Sequence, residues 1–278
     1  TGALAVNKAL VIDGNAPTVT NVTSTTSDGS YDAGEVIPIT VTFSEAVTVA
    51  GGTPTLTLAT GGGGTAVNYT SGSPGTTLTF NYTVGGGNTS SDLNYAATGS
   101  LALGGATIRD AAGNNATLTL PGLGATGALA VNKALVIDTT AATVTEVTST
   151  TGDGSYKQGD TISIQVVFSE AMTVTTGGGT PSLTLQTTGA GTTAVAYASG
   201  SGTTSLSFDY TVGAGHVSAD LNYAATGSLA LNGGTIKDAA GNSATLTLPA
   251  TGGGDSLAGN EALVIDTTAP TVTDVTSS

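Results

Sequence analysis

Apolar and polar residues alternate along most of this chain. Ile37, Ile39, Val41 and Phe43 share one face of a stretch whose other face carries Val36, Pro38, Thr40 and Thr42. Leu78, Phe80, Tyr82 and Val84 alternate in the same way with Thr77, Thr79, Asn81 and Thr83. A period of two marks a half-buried antiparallel strand, and threonine is a good strand former for the wet face. The pattern predicts strands around 17–24, 35–43, 54–59, 65–70, 76–84, 93–96, 101–108, 116–120 and 130–137. Pro38 has no N–H to give, so its strand should be an edge there, or bulged. The connections GGT, TGGGG, SGSPG, GGGN and AAGN are turn-forming. No 12-residue window carries the 3.6-residue repeat of a helix. Many short strands with closely spaced turns predict an all-β protein of immunoglobulin-like β-sandwich architecture.

Internal repetition sets the organisation. TGALAVNKALVID occupies Thr1–Asp13 and returns unchanged at Thr126–Asp138; a diverged copy, DSLAGNEALVID, fills Asp255–Asp266. Ile162, Ile164, Val166 and Phe168 repeat the alternation of Ile37–Phe43, and NYAATGSLAL occurs at 94–103 and again at 222–231. Length differences fall in glycine loops, as expected where strands carry the fold. The period is far too long for a β-solenoid. The boundaries preferred on this reading are 1–13, the closing strand of a preceding repeat; 14–138 and 139–266, two complete repeats; and 267–278, the first strand of a following one. An alternative phase, with units of 1–125 and 126–250, stays open. The ends then belong to a covalent array, the reading preferred because the same strand recurs within one continuous chain, or to strand exchange between chains, in which Thr1–Asp13 completes a neighbour's sheet.

Composition narrows the partners. A net charge of −14, from 19 acidic and 5 basic side chains, repels phosphate backbones and anionic lipid and suits divalent cations. There is no cysteine, which excludes disulfides, thiolate ligation and a cysteine nucleophile. No run approaches about 18 apolar residues, so this segment predicts no membrane insertion.

The acids recur at fixed places in each unit. Asp13, Asp138 and Asp266 end the repeated segment, Glu45 and Glu170 follow Phe-Ser, and Asp110 and Asp238 open the DAAGN turn. Asp28 and Asp153 sit in the DGSY turns. A carboxylate at a module junction, joined by others from neighbouring loops, offers the hard oxygens calcium takes, and Asn114 and Asn242 could add more. Asp138 and Glu170 are favoured, because a junction aspartate has no obvious local turn to explain it. Against this, Asp and Asn are common in turns for their backbone hydrogen bonds alone, and no EF-hand loop is present. The only histidine, His216, replaces Asn88 in a loop, so neither a Ser-His-Asp nor a Cys-His set assembles, and no enzyme is expected. A lysine–asparagine staple through Lys8 or Lys133 is disfavoured because the third copy has Glu261 there.

VTFSEAVTV, GTPTLTL, LTFNYTV, TIRDAAGN and ALVIDTTAP together resemble the immunoglobulin-like and cadherin-like repeats of giant bacterial surface proteins and adhesins, close to the SWM-type repeat. The resemblance implies tandem sandwiches in an extended array on the bacterial cell surface, stiffened by calcium between domains, with neighbouring repeats of the same protein as partners. It implies a stalk or fibre. A filament built by strand exchange and a lectin-like or ice-binding module are the alternatives.

Overall fold

The alternation at Ile37–Phe43 builds the longest strand of the first of two compact units, Thr1–Thr139 and Thr140–Ser278. The computed structural model describes residues 12–188 and 191–276. The first unit runs β1 (Val19–Ser24), β2 (Gly29–Tyr31), β3 (Val36–Ala50), β4 (Thr55–Leu58), β5 (Thr65–Ser71), β6 (Gly75–Thr83), β7 (Thr89–Ser90), β8 (Leu101–Ala102), β9 (Thr107–Arg109), a helical turn α1 (Leu129–Asn132) and β10 (Leu135–Asp138). One sheet has the order β1-β3-β6-β5-β4-β8, with β9 on the far half of β3; the other is β2-β10-β7.

Both predicted faces hold. Ile37, Ile39, Val41 and Phe43 on β3, and Leu78, Phe80 and Tyr82 on β6, are all buried in one core with Val84, Leu135 and Ile137. Side chains from both sheets meet there, which makes the unit an all-β sandwich. β3 runs seven residues past the predicted end, and its register breaks between Thr42 and Val47. Before the break it pairs with β6; after it, Thr48–Ala50 pair with β9. Pro38 stays in register with Asn81 on β6, but the pairing with β1 ends at Ile39, so a neighbour is missing on one side, as a proline requires.

Four predicted strands change form. The 130–137 stretch is the helical turn α1 followed by β10, with Gly127 at φ +90 just ahead of Leu129. Residues 101–108 split into β8 and β9 around the Gly104–Gly105 turn, both glycines having positive φ. Around 93–96 and 116–120 only isolated bridges form, Tyr95 to Leu58 and Thr117 to Thr18. Most of Thr1–Asp13, through Val11, lies outside the described residues.

β10 pairs antiparallel with β7 and parallel with β2, in the register Leu135 to Gly29 and Ile137 to Tyr31. The second unit repeats the plan. Its long strand Thr161–Thr175 pairs with Thr203–Thr211 and then with Thr235–Lys237, and its closing strand Leu263–Asp266 lies parallel to Gly154–Tyr156.

Candidate metal centre

Two acids of the first unit stand at core-facing places in the strand alternation. Glu45 has the parity of Phe43 and Val47 on β3, and Asp110 that of Ile108 on β9. Both lie where β3 passes from β6 to β9, at the rim of the sandwich. Asp13, entering ahead of β1, brings a third carboxylate. Oxygens of Asp13, Glu45 and Asp110 all lie within 4.8 Å of one another. Glu45's pKa is raised, first by burial and then by the negative charges of Asp13 and Asp110.

Asp110 has a second explanation. Its Oδ1 accepts the N–H groups of Gly113 (2.6 Å) and Asn114 (2.8 Å), and its Oδ2 accepts Asn114 Nδ2 (2.7 Å). Burial opposes its charge, but the hydrogen bonds from Asn114 and Gly113 outweigh that and hold its pKa below the usual carboxylate value. The DAAGN turn is thus closed by its own aspartate. Asn114 donates its Nδ2 to Asp110 and to the Asp13 carbonyl (3.2 Å).

Residues 13–122 match the family of the bacterial Ig-like domain. The first unit is a bacterial Ig-like repeat. No curated protein matches the chain.

The second Ig-like unit keeps the rim pair. Carboxylate oxygens of Glu170 and Asp238 approach within 4.8 Å. Asp238 Oδ1 takes the N–H groups of Ala240, Gly241 and Asn242, and its Oδ2 takes Asn242 Nδ2. Asp138 ends β10 and Asp266 ends the second closing strand. Two of the junction aspartates have local partners: Asp13 Oδ1 accepts Asn15 N–H at 3.0 Å and Asp266 Oδ1 accepts Thr268 N–H at 2.8 Å. An aspartate can turn the chain through its own side chain. Asp266 joins no group of three acids among the described residues.

The remaining polar candidates serve the fold. Asp28 binds Lys133 Nζ at 2.7 Å, which lowers its pKa, and Asp153 accepts Ala262 N–H at 2.8 Å. His216 Nδ1 meets the Tyr210 hydroxyl at 2.7 Å and accepts Gly213 N–H, as Asn88 Oδ1 does from Tyr82 and Gly85. An open groove of about 530 Å³ in the second unit runs along Gln186, Val217, Val264 and Asp266. Its lining holds no histidine and no second carboxylate, so it offers no acid–base pair. No helix among the described residues is long and apolar enough to cross a membrane.

Proposed function

We propose that this chain is a non-enzymatic, load-bearing segment of a secreted bacterial surface adhesin or filament. The observation that carries the reading is the parallel pairing of an early strand with the closing strand in each unit. β2 runs beside β10, with Gly29 N–H on Ala134 O at 3.0 Å, and Gly154–Tyr156 runs beside Leu263–Asp266, with Gly154 N–H on Ala262 O at 3.1 Å. A pull on the two ends of a unit draws such a pair in opposite directions along its length. The slanted bonds between parallel strands then share the load in shear, and none can open singly.

Calcium is the proposed ligand of Asp13, Glu45 and Asp110, and of the equivalent Glu170 and Asp238. The raised pKa of Glu45 supports this, because carboxylates that disfavour each other's charge gain from a divalent cation. Backbone carbonyls and water would complete the shell. The turn bonds of Asp110 favour a second reading, in which the acid only closes its loop. Calorimetric calcium titration of the full chain separates the two: saturable binding lost in Glu45→Gln supports the metal, and no heat at millimolar calcium leaves only the turn. A glycan array or an ice-affinity assay that detects specific binding would replace the stalk by a recognition role.

A further inference from the structure

The closing segment of the first unit is held through residues whose sequence another part of this chain duplicates. Gly127 O accepts Val22 N–H at 2.8 Å, and Asn132 Nδ2 donates to Val22 O and Asn21 Oδ1, both at 2.8 Å. Leu129, Leu135 and Ile137 enter the core, and Leu135 O accepts Leu93 N–H at 2.7 Å. Lys133 reaches Asp28 at 2.7 Å. In each of these contacts one partner belongs to the thirteen residues Thr126–Asp138, and Thr1–Asp13 carries the same thirteen. Residues 1–11 lie outside the described residues; the contacts are those of the identical copy. The groove between β2, β7 and β1 cannot tell the two segments apart.

Two places in the segment carry contacts beyond its apolar residues. Gly127 has φ +90, and a Cβ there would stand 2.7 Å from Thr20 O, so the first unit's groove favours glycine at that place; the second unit takes Asp255 there, with a different backbone angle and the same bond, Asp255 O accepting Val147 N–H at 2.9 Å. The third copy keeps the plan with other chemistry: Glu261 Oε1 accepts the Thr148 hydroxyl at 2.5 Å and Ser149 N–H at 3.1 Å, where unit one uses the Lys133 ion pair.

We propose that the closing groove of the first unit accepts Thr1–Asp13 of a second copy of this chain in place of its own Thr126–Asp138, so that copies exchange closing strands. This goes beyond the stalk reading, since it concerns how separate chains join and would hold whatever load they carry. The test uses the full chain with a protease site placed in the Gly122–Thr126 loop, where Leu123 is 46% exposed. After cutting, a fluorescent peptide with the sequence of residues 1–13 is added. The expected result is saturable binding that unlabelled peptide competes away. A Gly2→Val peptide should bind at least about tenfold more weakly, because it forces a branched residue into strained backbone, and a Lys8→Ala peptide only a few-fold more weakly, as for an exposed ion pair. A cut chain that keeps its circular dichroism but takes up no peptide, or takes up the Gly2→Val peptide equally, overturns the proposal. If cutting unfolds the unit, the intact Leu135→Ala chain is used instead. There the peptide, which supplies the missing leucine through its Leu10, should raise the melting temperature of the first unit, and no rise overturns the proposal.

Discussion

Leu135→Ala measures how far the closing strand belongs to the core. Leu135 is fully buried at the start of β10 and lies opposite Gly29 on β2. Truncation removes three carbons, worth roughly 0.8 kcal/mol each in transfer, or about 2.4 kcal/mol. The residual cavity adds to this, and buried Leu→Ala changes span about 2.7–5.0 kcal/mol. About 3 kcal/mol is therefore expected. For a unit of this size roughly 4 °C accompanies each kcal/mol, so its melting temperature should fall by about 12 °C. Differential scanning calorimetry of the full chain should show the first unit's transition moving while the second stays in place. Leu263→Ala, equally buried in the second unit, should do the reverse. Val131 is 52% exposed on α1, and Val131→Ala should change stability by less than about 0.5 kcal/mol. A shift in Leu135→Ala below about 1 kcal/mol, or an equal shift in both transitions, would refute the view that β10 closes the first core.

Three further outcomes are expected. Calcium should raise the melting temperature of the full chain, by about 2.7 kcal/mol of added stability at a concentration a hundredfold above Kd; Glu45→Gln should raise metal-free stability by relieving repulsion and remove the calcium effect on the first unit, as read by thermal shift with and without chelator. Alkaline titration followed by tyrosine absorbance should show a late class of hydroxyls, since burial pushes Tyr82, Tyr210 and Tyr223 up to about 12. Their folded pKa exceeds the unfolded value of about 10, so the stability they contribute is complete below pH of about 10 and is lost as pH rises toward 12; a single titration near 10 with no loss of structure would contradict this.

The sandwich was legible because its alternation is nearly unbroken. The faces of β3 and β6 follow directly from Ile37–Phe43 and Leu78–Val84. The helical turn was not legible: Leu129–Asn132 is too short to show a helical period, and it is fixed by the Gly127 backbone and the Asn132 amide, which are tertiary contacts. Alternation also reports a face but not a pairing, so Leu93 and Tyr95 are buried while their segment forms only a bridge. At the candidate centre, the rim acids could be found from parity alone, as carboxylates at core-facing places. Which way Asn114 turns its amide, and that Asp13 closes a turn on Asn15, depend on loop geometry that spacing does not encode.

Pulling single molecules of the full chain by its two ends tests the load-bearing role most directly. Each repeat spans about 125 residues, and at roughly 3.6 Å per residue extended each unfolding event should release roughly 40 nm. The account predicts two such events of nearly equal length, at forces that fall in Leu135→Ala and Leu263→Ala as the sheared pair loosens. Gradual extension without discrete events, or unfolding forces unchanged by those substitutions, would contradict it.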